Sequence, residues 1–129
     1  MAVTNLRKTV QLPFDQVLER VTQALAAEGF GILTRIDVQE TLKKKLDVEF
    51  ERYEILGACN PPLAHRALTA DRQVGLLLPC NVIVYENHPG EVTVSAFDPM
   101  TIASGEQGAH LRDIAQEANA KLGRVMERL

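Results

Sequence analysis

The chain has 129 residues and a mass of 14.3 kDa, about the length of one domain. Its 46% hydrophobic content excludes wholesale disorder, and a net charge of -3 argues against nucleic-acid or anionic-membrane binding. No apolar run reaches the ~20 residues of a membrane span, and the opening Met1 to Lys8 does not read as a secretion signal.

In chain order, residues 5 to 11 predict an opening strand. Pro13 suits a first helical position, where the amide hydrogen it lacks would be unpaired anyway. Phe14, Val17, Leu18, Val21 and Leu25 follow at helical spacing, and Gly29 is placed to end that helix in a left-handed turn. Phe30, Ile32, Thr34 and Ile36 then alternate as one face of a strand. Asp37, with Glu40 three residues on, predicts a capped short helix through Leu46. The charged segment Asp47 to Arg52 reads as a loop or as an extension of the next strand. In that strand Tyr53, Ile55, Gly57 and Cys59 share a face.

Asn60-Pro61 is a cap followed by a first-turn proline, opening a helix with Leu63, Ala64, Ala67 and Leu68. Gly75 to Glu86 predicts a strand whose two faces are both largely apolar, hence a central strand or one covered by a partner. Within it Pro79 donates no hydrogen bond, so a bulge or an edge is expected there. Asn87-His88-Pro89-Gly90 predicts a hairpin turn, with Val92, Val94 and Ala96 as the inward face of the returning strand. Asp98-Pro99 repeats the cap-plus-proline pair and opens an irregular turn ending near Gly108. Leu111, Ile114, Ala115, Ala118, Leu122, Val125, Met126 and Leu129 form the apolar stripe of a long final helix. The expected fold class is α+β: one mainly antiparallel sheet of about five strands, with the two longer helices on one face and short helices inserted.

Two segments carry a resemblance. Ile55-Leu56-Gly57-Ala58-Cys59-Asn60-Pro61-Pro62-Leu63-Ala64 and Gly75-Leu76-Leu77-Leu78-Pro79-Cys80-Asn81-Val82-Ile83-Val84-Tyr85-Glu86 resemble the domain of unknown function family number 302 (DUF302). Asp98-Pro99 and the C-terminal helix match as well, so the likeness covers nearly the whole of residues 1–129 as one domain. It implies a strand-helix-four-strand-helix fold, commonly met as a dimer. It implies no established reaction, so it transfers no catalytic residue and no cofactor. Asp71-Arg72-Gln73 stands where a proline-containing turn is expected in many relatives.

The candidate chemistry centres on Cys59, Asn60, Cys80, Asn81 and Asp98. Cys59 precedes a predicted helix N-terminus, where unpaired amide hydrogens favour a thiolate, but it also reads as a small buried hydrophobe. Cys80 lies among apolar residues, and its distance in sequence from Cys59 is not the Cys-x-x-Cys of thiol oxidoreductases. Asn81 can bond a ligand or satisfy backbone freed by Pro79, and Asp98 reads as a site carboxylate or as a cap for Pro99. His65, His88 and His110 lack metal-ligand spacing, so no metal is expected. There is no phosphate-binding glycine loop, and Ser95 and Ser104 lack a nucleophile elbow. Lys43-Lys44-Lys45 sits among acidic neighbours as a solvated helix face. Two cysteines do not make a disulfide scaffold, and the expected location is the cytoplasm. These readings favour a dimeric, non-catalytic small-ligand-binding or regulatory module without nucleic-acid or membrane partners. The alternative is a thiol-dependent redox or nucleophilic activity of Cys59 with Cys80.

Overall fold

The computed structural model describes residues 6–103 and 108–129, apart from the side chains of 108 and 109. Asn5, Ser104 and the predicted end of the turn before Gly108 therefore lie outside the described residues. Among the described residues the strands are β1 (Arg7–Val10), β2 (Gly31–Asp37), β3 (Tyr53–Cys59), β4 (Cys80–His88) and β5 (Glu91–Ala96). The helices there are α1 (Phe14–Ala27), α2 (Val38–Leu46), α3 (Pro61–Ala70) and α4 (Gly108–Glu127). Two 3-10 turns, Arg72–Leu77 and Pro99–Ala103, complete the order. The strands form one antiparallel sheet in the order β1-β5-β4-β3-β2, which places β4 at its centre. That is the expected α+β fold.

One face of the sheet carries Leu56, Ala58, Val82, Val84, Val92 and Val94, all buried against α1 and the C-terminal half of α4. The period of α1 explains its seat: Phe14, Val17, Leu18, Val21 and Leu25 recur along one side and are all buried. At 20 residues α4 runs about 30 Å and packs into two cores. Its N-terminal half carries Leu111, Ile114, Ala115 and Ala118 into a second, smaller core with α3 and the two 3-10 turns.

Three local expectations need correction. Pro13 is the N-cap of α1, not its first helical residue; its φ of -61 and ψ of 148 are extended, and its carbonyl accepts from the Val17 amide at 3.1 Å. In β2 the register slips between Ile32 and Thr34, so Leu33 is an extra residue. Ile32 pairs with Ala58 on the helix-covered side, whereas Thr34 and Ile36 pair with Gly57 and Ile55 on the other. A bulge reverses the faces of everything beyond it, which ends the simple alternation of Phe30, Ile32, Thr34 and Ile36. Finally, β4 begins at Cys80. Leu76 and Leu77 belong to the 3-10 turn and Pro79 precedes the strand, so the central ladder loses no donor and needs no bulge at the proline.

The C-terminal end of α1 is fastened to α4 by Glu28, whose carboxylate accepts from Arg124 at 2.9 Å and Arg128 at 3.1 Å. The hydrogen bond from Arg124, opposed by desolvation and aided by Arg128, holds the Glu28 carboxyl below its usual value of 4.5. A depressed carboxylate adds stability that is present above its unfolded value and lost as pH falls through the folded one. The gap in melting temperature between wild type and Glu28→Gln is therefore expected at neutral pH and should close on acidification below about 4.5. A gap that persists in acid would show that packing, not charge, is what Glu28 supplies.

Candidate functional site

Where the two cores meet, at the end of the sheet formed by the close of β3 and the start of β4, they leave a cavity of about 50 Å³. Leu63, Ala64 and Ala67 of α3 form one wall, and Ile114 and Ala118 of α4 another. Phe30 and Ala58 close it from the sheet, Leu78 and Pro79 from the approach to β4, and Pro99 and Ile102 from the second 3-10 turn. The gap has a local cause. Alanines at 58, 64, 67 and 118 face one another where larger side chains would fill the space.

Of the five candidate residues, the structure brings Cys59, Asn60 and Cys80 to this cavity. Asn60 is buried and committed to structure: its Oδ1 accepts from the Leu63 amide at 3.4 Å, and its Nδ2 donates to the Glu28 carbonyl at 3.2 Å. Its Nδ2 lies 3.1 Å from where a Cβ on Gly29 would stand, and Gly29 has a φ of +86, so only glycine suits that turn. Among the described residues no buried side-chain nitrogen or oxygen lacks a partner, so the cavity contains no idle polar group. Its character is apolar.

Cys59 and Cys80 are both free thiols. Cys80 pairs in register with Ala58, so Cys59 is its diagonal neighbour, one position off the same rung. Alternation along the strands points the two side chains to opposite sides of the sheet. Burial, and next the charge of Cys59, pushes the Cys80 thiol up to about 11.

Asn81 and Asp98 stand apart from the cavity. Asn81 is exposed on the face opposite α1 and α4, registered with Gly57, and its carbonyl accepts from the Phe97 amide at 2.8 Å. The Asp98 Oδ1 accepts from the Met100 amide at 2.9 Å and from Asn119 Nδ2 at 3.4 Å, which caps the 3-10 turn and ties it to α4. Among the described residues no three His, Cys, Asp or Glu side chains are grouped to hold a metal ion. A wider surface groove of about 310 Å³ lies beside Arg20 and Arg128, but Arg128 is occupied by Glu28. That groove is the more open of the two to solvent.

Asn60→Ala should lower stability by about 1–2 kcal/mol and Asp98→Ala by about 0.5–1 kcal/mol, as loss of a cap does. Serine should restore most of the loss at 98. At 60 it should restore only part, because a hydroxyl cannot replace both the cap and the bond to the Glu28 carbonyl. Chemical denaturation of the four variants checks this; unchanged unfolding for both alanines would return the two residues to the functional candidates.

The walls of the cavity were not among the sequence candidates. A repeated alanine on the inward sides of α3 and α4 was the available signal, and it reads equally well as close helix packing. The family model described as "Domain of unknown function DUF302" matches residues 6–129. Among solved structures, the chain is similar to the uncharacterized conserved protein DUF302 from Bacillus stearothermophilus. The TM-score is 0.83 at 31% identity, covering 95% of this chain and 97% of that one. No curated protein matches.

Proposed function

This chain belongs to the DUF302 family, and on that premise we propose that it is a non-catalytic, cytoplasmic binding module whose site is the cavity between its two cores. The observation that carries the reading is a walled apolar space with no charged side chain in its lining. An apolar cavity of about 150 Å³ stays dry and takes benzene. One of about 50 Å³ suits a single soft atom such as xenon, or the end of an aliphatic group. Xenon titration followed by methyl NMR is the direct test. Saturable shifts are expected at Ala58, Ala67, Ala118, Leu63 and Ile114, and Ala118→Leu should abolish them by filling the space. If that variant fails to fold, Ala67→Val serves the same purpose. Absence of saturable shifts in the wild type would overturn the reading.

The face opposite α1 and α4 supports a second element of the proposal, a homodimer. Tyr53 and Tyr85 stack there at 5.4 Å with rings 10° apart, beside Ile55, Ile83 and the 47% exposed Ile36. A second copy would cover this patch, which is more apolar than a solvated sheet face needs. Sedimentation should give a dimer that Ile83→Lys dissociates; a 14.3 kDa species at micromolar concentration would remove the dimer from the proposal.

Thiol chemistry at Cys59 and Cys80 is the rival. It is centred on Cys59 with Cys80 as the resolving partner, and a Cys80 thiol at about 11 is protonated at neutral pH. Fast alkylation of Cys59 in the native protein at pH 7 would favour the rival over the binding module. Among the described residues no helix is long and apolar enough to cross a membrane.

A further inference from the structure

We propose that residues 61–78, which carry α3 and the first 3-10 turn, form a lid that opens as one unit on hinges at Asn60 and Pro79 and gates the cavity. The proposal rests on the binding reading above and supplies the regulation of that site. The lid leaves the sheet at the end of β3 and returns at the start of β4. Ala58 and Cys80, just outside it, are registered partners on these adjacent strands. Its two stems therefore stand about 5 Å apart, the spacing of paired strands. An excursion with ends this close can swing while the ladder that holds them stays intact.

Both stems are fastened. Asn60 Nδ2 donates to the Glu28 carbonyl at 3.2 Å, and the Asn81 carbonyl accepts from the Phe97 amide at 2.8 Å. Between the hinges the hydrogen bonds turn inward. The Asp71 amide donates to the Ala67 carbonyl, the Val74 amide to the Asp71 carbonyl and the Leu78 amide to the Gly75 carbonyl. Thr69 Oγ1 donates to the His65 carbonyl, and Asp71 Oδ1 accepts from the Gln73 amide. Among the described residues, and apart from bonds to the hinge residue Asn60, the lid has one hydrogen bond or ion pair to the rest of the molecule. It joins Arg66 to Glu117 of α4 at 3.0 Å, with both side chains about half exposed, which makes a weak latch. Apolar burial holds the lid down, and it is sparse. Only Leu63, Ala67 and Val74 are buried among residues 61–78, whereas α1 buries six of its 14 residues. A segment so lightly attached belongs to the low-stability end of a fold. Its inner side is the cavity wall: Leu63, Ala64, Ala67 and Leu78 line the space together with Ile114 and Ala118 of α4. An occupant that touches lid and α4 at once favours the closed state, so binding and closure are linked.

Native-state hydrogen exchange followed by NMR, with and without xenon, tests this on the full chain. The α3 amides, Asp71 and Val74 should share one opening constant, at least about tenfold larger than that of the β5 amides. Low urea should speed exchange in β5 and leave α3 nearly unchanged, because lid opening exposes far less surface than global unfolding. Arg66→Gln should raise the α3 constant about two- to fivefold, the range of one exposed pair, and adding Glu117→Gln should raise it no further. Saturating xenon should slow exchange throughout α3. Constants graded from one end of α3 to the other, the mark of fraying, would overturn the inference. So would the same urea dependence in α3 as in β5. Saturable xenon shifts with unchanged α3 exchange would overturn the lid alone, whereas no saturable shifts would overturn the cavity reading and the gating with it.

Discussion

Leu122→Ala should lower the free energy of unfolding by about 2–5 kcal/mol, the range for truncating a buried leucine where the surroundings cannot collapse. Leu122 is 0% exposed and lies on α4 within the core formed with α1 and the sheet. Its removal costs the transfer free energy of the lost atoms and leaves a void in a core whose other side chains, Val82 and Val94 among them, are themselves fully buried. Urea denaturation followed by far-UV circular dichroism measures the change, with Leu76→Ser as the matched control. At 82% exposed, Leu76 should shift stability by no more than about 0.5 kcal/mol. A large loss at Leu76 with little at Leu122 would contradict the exposure of the one and the burial of the other.

Gly57→Ala is the second large effect, expected to cost about 1–3 kcal/mol or more through overpacking. A Cβ at 57 would stand 2.1 Å from Thr34 Oγ1 and 2.8 Å from Pro79 Cγ. The strand pairings explain why both lie so close: Gly57 is registered with Thr34 of β2 on one side and Asn81 of β4 on the other, two residues after Pro79. The threonine can swing toward solvent on its edge strand, but the proline ring cannot. Thr34→Ala should therefore recover only part of the loss in the double variant, and a thermodynamic cycle gives the coupling. Full recovery would place the whole clash on the threonine. No loss at all in the single variant would contradict the close packing of Pro79 over β3. Because Pro79 also lines the cavity, xenon affinity should fall in any Gly57→Ala protein that folds.

Much of the fold was legible because it follows from local rules. The stripe from Phe14 to Leu25 and the stripe from Leu111 to Met126 each have a helical period, and both are buried as the period demands. Val92 and Val94 are inward, Asp37 and Asn60 cap their helices, and Gly29 and Gly90 take the positive φ that turns require. These depend on residues within a turn or two of one another. The candidate site was legible only in part. Cys59, Asn60 and Cys80 were picked from their helix-start and strand contexts and do meet at the cavity, while Asn81 and Asp98 sit elsewhere.

What the amino-acid order determined by itself was therefore the identity of the elements, their caps and which side of each is apolar. Tertiary structure alone decided where those sides were sent. Leu33 became a bulge because Thr34, not Leu33, takes the position opposite Gly57, and one inserted residue reversed the faces of the rest of β2. Leu76 and Leu77 left the strand because Cys80 pairs with Ala58, and β4 has its first registered partner there. The cavity lies where α4 passes from one core to the other and brings Ala118 to the same space as Ala58 and Ala67. An alanine records a small side chain; whether that becomes tight packing or a void depends on the residues facing it, which for Ala118 include Ala58 and Ala67, 60 and 51 positions earlier in the chain.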